Sequence, residues 1–236
     1  MTSSYSLSLY FRPAAFPWVS SYASGRRCET VHWPRHNHCT RLAVRQSRRR
    51  SPRHNCGCKA GKIRHIGMSN EKAWGAMRYI EESRTHDLPR MCTIQNAYSL
   101  INRVFEGDMA EVALRENIGL LTYSPMAFGV LSGKYIKGTA GEDARLKLFP
   151  RFARYSSEQS TEATRRYLKI AEDNNITLAQ MSLAFVNQQP FVTSNIIGAS
   201  KMEQLKENID SIDVTLSKEI LNQINAVHAV IPNPAP

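Results

Sequence analysis

Four short sets of polar or small residues close the apolar runs of this chain, and each could hold a ligand. They are Ser69 with Asn70, Gln95 with Asn96, Tyr123 with Ser124, and the turn of Gly198, Ala199 and Ser200. In parallel α/β folds ligands sit beyond the carboxyl ends of the strands, so residues there are considered first. Three of the sets offer amides and hydroxyls, which suit a neutral polar head such as a carboxamide. The fourth suits phosphate, because a small turn opening a helix exposes backbone N–H groups at the positive end of the helix dipole. Lys134, Lys201 and Gln204 could add charge and hydrogen bonds to it. A plainer role stands beside these, since Asn70 and Ser200 also suit helix capping. Gln95 is harder to explain that way, because an amide at the end of a buried strand must find partners. No metal is expected at these positions.

The elements that must carry these residues alternate along the chain. Strands are predicted at 63–68, 92–96, 118–124 and 192–198. Amphipathic helices follow them: one with Trp74, Met77 and Ile80 inward, and one over 105–117. Helices are also predicted over 158–174, where Ala163, Tyr167, Ile170 and Ala171 form a stripe, and over about 217–230. Thr177 and Gln180 have capping-box spacing ahead of Leu178, Met181 and Phe185. Ser200 and Glu203 have it ahead of Met202, Leu205 and Ile209. Between 125 and 157 an irregular stretch contains Gly129, Gly133, Gly138 and Gly141, and Pro232, Pro234 and Pro236 close the sequence. Strands alternating with helices imply parallel pairing. Four such units fit either half of a barrel or a doubly wound sheet, and periodicity does not choose between them.

Charge divides the chain in two. Residues 1–60 hold ten Arg and one Lys against one Glu, a balance of +10 out of the formal +11. The remainder is close to neutral, so the high isoelectric point describes the first quarter only. Four of five cysteines also lie there, and Cys92 alone lies in the body, which gives no disulfide framework. No apolar run reaches membrane-spanning length, and no membrane association is expected. The first 59 residues show no sustained periodicity and are expected to be a basic, unfolded segment ahead of a domain over 60–236. Pro13, Pro17 and Arg12 argue against a secretory signal. The Arg- and Ser-rich, acid-poor composition fits a mitochondrial transit peptide. Arg48, Arg49 and Arg50 would suit a nucleic-acid-binding tail, and a shifted reading frame in GC-rich DNA yields a similar mixture. Cys56 and Cys58 are too close together for the usual zinc-binding turn.

Residues 60–236 resemble the carboxyl half of the aldo-keto reductases, most closely the bacterial Tas type. The stretches that carry the resemblance are GKIRHIGMSN (61–70), TIQNAYSLINR (93–103), LLTYSPMAFGVLSGKY (120–135), LAQMSLAFVNQQP (178–190) and IIGASKMEQLKENI (196–209). The resemblance implies an α/β fold of the (β/α)₈ TIM-barrel family, here incomplete, with about the last four βα units. It implies NADP(H) as cofactor, a small-molecule carbonyl substrate and reduction without metal. Ser69, Asn70 and Gln95 would bind the nicotinamide carboxamide, and Tyr123 would stack on its ring. Ser124, Pro125, Met126, Phe128 and Lys134 would line the path of the pyrophosphate. Gly198, Ser200, Gln204, Glu207 and Asn208 would hold the adenosine end, and Arg154 would contact the extra phosphate.

The chain departs from the family at its catalytic centre. Four residues do the chemistry there: Asp, Tyr, Lys and His, all from the first four strands. The first Asp here is Asp87 and the first Lys is Lys59, so neither role has a counterpart. His32, within Val31, His32, Trp33 and Pro34, resembles the family's carbonyl-orienting histidine, although the helix expected after it is missing. The expectation is an NADP(H)-dependent oxidoreductase represented by a truncated and inactive chain. A non-catalytic NADPH- or partner-binding module and a nucleic-acid-associated protein are the alternatives, the latter not favoured. Cytoplasm is the expected compartment, or the mitochondrion if residues 1–55 act as a transit peptide, and oligomeric state is open. Losing half a barrel is also expected to expose bulky aliphatic residues of the interior, at roughly 1.5–3 kcal/mol each.

Overall fold

The computed structural model describes residues 8–11 (backbone only), 58, 60–149 and 154–236. A five-stranded sheet organises them in the order β1-β5-β4-β3-β2. Its strands are β1 (Ser8–Phe11), β2 (Ile66–Ser69), β3 (Met91–Ala97), β4 (Gly119–Tyr123) and β5 (Val192–Ile197). The helices are α1 (Ala73–Thr85), α2 (Asp108–Arg115), the short α3 (Arg145–Leu148), α4 (Glu158–Asp173), α5 (Leu178–Asn187), α6 (Met202–Asp210) and α7 (Lys218–Val230). Two 3₁₀ turns, Val104–Glu106 and Ala127–Ser132, complete the connections.

Strands β2 to β5 are mutually parallel and neighbour one another in chain order. That order decides between the two architectures left open by periodicity. A doubly wound sheet reverses its strand order at a switch point and is covered on both faces, whereas a barrel proceeds in one direction with helices outside. Here Met68, Ile94, Leu120 and Thr122 are buried while Gly67 and Ser69 on the opposite face are exposed. Among the described residues, one face is covered. These are four consecutive units of an incomplete (β/α)₈ barrel.

The uncovered face would be the barrel interior, and its composition corrects an expectation. Gly67, Ser69, Thr93, Gln95 and Gly119 are small or polar, with Leu121 half-buried among them. Thr93 and Thr193 lie over the two glycines, so that an added Cβ at Gly67 or Gly119 would meet a threonine Oγ1 at 2.3 or 2.0 Å. Among the described residues, the exposed large apolar side chains are all outside the strands. Among the described residues this face exposes no large aliphatic side chain fully, but Leu121 and Ile196 on it are only half-buried.

Several local expectations are also revised. Helix α1 begins at Ala73, and neither Ser69 nor Asn70 caps it; its N-cap is Lys72. Its buried positions are Gly75, Ala76, Ile80 and Ser83, while Trp74 and Met77 are exposed. It packs on α2, and β2 is the last strand of the sheet. The helix expected over 105–117 is split by Gly107 into a 3₁₀ turn and α2. The Thr177 capping box is formed, both of its bonds present. The one expected at Ser200 is not: Lys201 is the N-cap of α6, without a side-chain cap, and Met202 is exposed. Residues 8–11 form an antiparallel edge on β5, an element that the sequence pattern did not signal.

The core joins segments far apart in sequence. Tyr98 stacks near Phe185 with centroids 6.0 Å apart and meets Phe191 edge-on at 5.4 Å. Beside it Arg103 forms a two-pronged pair with Glu106, at 2.6 and 2.7 Å, and Tyr98 donates its hydroxyl to the same carboxylate. Burial, then the Glu106 charge, holds the Tyr98 phenol well above its ordinary range. Arg103 also donates to Asn225 Oδ1 at 2.9 Å, tying α7 to the loop after β3.

Candidate functional site

The carboxyl ends of β2, β3 and β4 meet through polar groups. The register aligns Ser69 with Gln95, and Gln95 with Leu121. The Asn70 backbone N–H donates to the Gln95 carbonyl at 3.0 Å. The Tyr123 hydroxyl donates to Asn70 Oδ1 at 2.6 Å, while Asn70 Nδ2 reaches Ser69 Oγ at 3.3 Å. Asn70 and Ser124 both sit in the left-handed region, at φ 53° and 54°. Asn tolerates that conformation because its short amide bonds locally; Ser does so less readily. Strained polar residues at the tips of neighbouring strands are a recurrent feature of ligand sites.

After β4 the backbone stays unusual. Ala127, Phe128 and Gly129 follow at φ 45°, 58° and 86°. This curls the chain so that Lys134 folds back over Gly129, where an added Cβ would lie 3.2 Å from Nζ. Phe128 stacks on buried Tyr155 with centroids 5.2 Å apart. The Arg145 guanidinium lies 5.6 Å from the Phe128 ring, and that of Arg154 lies 4.8 Å from the Tyr155 ring. Two guanidinium groups thus lie against one aromatic pair, while Lys134 lies over the neighbouring Tyr135 ring at 5.3 Å. Such a set fits a phosphate group, provided the ligand lies along the turn.

The fourth strand tip contributes separate groups. Ser200 donates through both its N–H and its hydroxyl to Gln204 Oε1, at 3.4 and 3.3 Å. Gly198, Ala199 and Ser200 are exposed, ahead of the α6 N-terminus. Glu207 accepts a 2.6 Å bond from Thr177, the residue that caps α5. Asn208 lies instead along a narrow crevice with Asn187 and Asn195 between α5, α6 and β5. Gln95, Tyr123 and Asn70 are therefore joined directly, whereas Ser200, Gln204 and Glu207 form their own group one strand away. A broader depression of about 420 Å³, lined by Glu158, Glu162 and Val230 among others, holds none of these residues. His32 lies outside the described residues, as does the arginine-rich stretch around Arg49.

The sequence model of the Aldo/keto reductase family matches residues 56–229, most of the described chain. The chain belongs to the aldo/keto reductase family. It is 52% identical over 178 residues to Protein tas of Escherichia coli (strain K12), covering 75% of this chain and 51% of that protein. It is 34% identical over 182 residues to an aldo-keto reductase of Babesia bovis, covering 71% of this chain and 62% of the relative. L-glyceraldehyde 3-phosphate reductase of Escherichia coli (strain K12) is 28% identical over 174 residues, with 71% and 50% covered. The chain thus spans about half the length of the two Escherichia coli relatives and 62% of the Babesia bovis one, in keeping with its four parallel strands.

Within this family frame the structure adds residues that the sequence did not single out. Tyr155 and Arg145 flank Phe128, yet both come from an irregular stretch that lacks periodicity. Thr177 was legible as a cap, but its second bond to Glu207 links positions thirty residues apart and leaves no local signature. Asn96, beside Gln95, turns away from it and donates to the Glu71 carbonyl at 2.9 Å. Among the described residues no group of His, Cys, Asp and Glu could hold a metal ion, and no helix is long and apolar enough to cross a membrane.

Proposed function

We propose that residues 61–236 bind NADP(H) along the tips of β2 to β5, as the cofactor half of a carbonyl-reducing oxidoreductase. The observation that supports this most is the Tyr123 bond to Asn70, which fixes an aromatic ring and an amide side by side on strained backbone. A flat ring face beside amide and hydroxyl groups matches a nicotinamide and its carboxamide. Ser69, Asn70 and Gln95 would hold the carboxamide, and Tyr123 would set the face of the ring. Ser124, Pro125, Met126, Phe128 and Lys134 would follow the pyrophosphate, with Arg154 at the additional phosphate. Gly198, Ser200, Gln204, Glu207 and Asn208 would hold the adenosine. When bound, NADPH supplies a hydride; the residues here orient it and exclude water from one side.

The other half of the chemistry is a proton, and among the described residues none is assigned to give it. In the family that role falls to a Tyr beside a Lys and an Asp, and the sequence has no Asp before Asp87. On its own, the polypeptide would bind the dinucleotide without reducing carbonyls. The test is a fluorescence titration of NADPH with the full chain, alongside absorbance at the NADPH band with a panel of aldehydes. Saturable binding without turnover is expected, and Tyr123→Ala should weaken it. Absence of saturable binding sinks the cofactor reading. Steady NADPH consumption sinks the claim of inactivity.

A further inference from the structure

The segment after α7, residues 231–236, is held at several points to parts of the fold distant in sequence. Asn233, in the left-handed region at φ 46°, accepts the Arg103 backbone N–H at 2.6 Å. Ala235 is fully buried and donates its N–H to the Ile101 carbonyl at 3.1 Å. The Pro234 carbonyl accepts from Ser160 Oγ at 3.1 Å, and the Pro236 carbonyl accepts from Arg154 Nη1 at 3.0 Å. Ser160, itself fully buried, shares its hydroxyl with the Arg154 carbonyl at 3.0 Å. One serine thus ties the backbone of Arg154 to the same segment that holds its guanidinium.

Arg154 is the exposed end of a longer contact line. Its Nη2 donates to the Tyr155 hydroxyl at 2.9 Å, Tyr155 stacks on Phe128, and Phe128 belongs to the turn that seats Lys134. An unrestrained arginine side chain loses rotamer freedom on gripping a phosphate, whereas a guanidinium already fixed in plane loses less. We propose that residues 231–236 act as a strap that fixes Arg154 for the extra phosphate, and so set the preference for NADPH over NADH. This rests on the dinucleotide reading given above. The strap's hydrogen bonds go to Ile101, Arg103, Arg154 and Ser160, of which Arg154 is assigned to the cofactor, so its removal should act on the phosphate and spare the rest of the ligand.

The experiment compares NADPH and NADH binding by fluorescence titration of the full chain, Arg154→Ala, a chain ending at Pro232, and Asn233→Ala. Arg154→Ala and the shortened chain should each cut the NADPH-to-NADH affinity ratio by about tenfold, the size of one charge-assisted bond. NADH binding should hold within about twofold, and the two changes combined should add little to either alone. Asn233→Ala, which keeps Ala235 and Pro234, should lower the ratio in the same direction if the shortened chain is poorly folded by circular dichroism. Equal weakening of both nucleotides, or an unchanged ratio, overturns the strap. A parent chain that binds neither nucleotide overturns the underlying reading, and one that binds both without preference overturns the assignment of Arg154 with it.

Discussion

The Tyr123 hydroxyl reaches Asn70 Oδ1 at 2.6 Å, so the tips of β2 and β4 are tied together across β3. The bond spans the strand that presents Gln95, and the Asn70 N–H is anchored on the Gln95 carbonyl. One side-chain bond and one backbone bond therefore link the three strand tips. Because Tyr123 is half-buried, its ring can offer a face to a ligand while its hydroxyl is occupied.

This arrangement separates the two parts of the tyrosine. Tyr123→Phe keeps the ring and removes the bond, so NADPH affinity should fall by roughly two- to tenfold, the range of a single hydrogen bond. Tyr123→Ala removes the stacking surface as well and should weaken binding further. Fluorescence titration of both variants checks this. Equal affinities for the two would show that the ring contributes nothing.

The close approach of β5 to Gly119 makes a prediction about stability. Gly119 is buried, and a Cβ there would sit 2.0 Å from Thr193 Oγ1 and 2.9 Å from its Cβ. Gly119→Ala should therefore cost about 1–3 kcal/mol, as overpacking does. Thr193→Ala in the same chain should restore part of that loss but not all, since the Cβ of residue 193 remains. Urea unfolding of the two single variants and the double variant measures the coupling. Simple additivity would mean that the two side chains do not meet.

Much of this was written in the sequence, and the misses have physical causes. Strand and helix order followed from alternating apolar runs, and Thr177 with Gln180 announced a cap that formed. Periodicity alone did not give the architecture, because a half barrel and a doubly wound sheet share it. The family resemblance implied the incomplete barrel, and the neighbour relations of β2 to β5 agree with it. Trp74 and Met77 fit a helical stripe but are exposed on α1, whose buried positions are Gly75, Ala76, Ile80 and Ser83. Ser200 had the spacing of a cap, yet its hydroxyl went to Gln204. Ser69, Asn70, Gln95 and Tyr123 were named from strand ends alone, whereas the strand-tip bonds among them depend on backbone twists at Asn70 and Ser124 that no spacing rule encodes.

The Arg103 and Glu106 pair is shielded, with the arginine side chain 11% exposed. Removing one partner of a shielded pair leaves the other charge without compensation. Arg103→Met should cost about 3 kcal/mol by urea unfolding, because it also frees Asn225 and leaves Tyr98 facing a bare carboxylate. Adding Glu106→Gln should recover part of this. A loss under about 1 kcal/mol would show that solvent screens the pair, as it does at surfaces.

His228, on α7, places its buried Nδ1 where no acceptor or donor meets it. Burial, and then the Arg103 charge, push its pKa below the ordinary 6.5, with Glu106 opposing. The sign of the consequence follows from linkage. The folded chain resists protonating this imidazole, whereas the unfolded chain accepts a proton near 6.5. The histidine therefore contributes no penalty above that pH, and stability is lost as pH falls through 6.5 toward the lowered folded value. Glu162 and Glu219, held below the ordinary 4.5 by hydrogen bonds, act in the same sense but in a more acidic window. Urea midpoints for the parent and His228→Gln at pH 7.5 and pH 5.5 isolate the effect, because the carboxylates stay ionised at both. The parent should lose stability between the two values and the variant should lose less. Parallel losses would place the titrating group elsewhere.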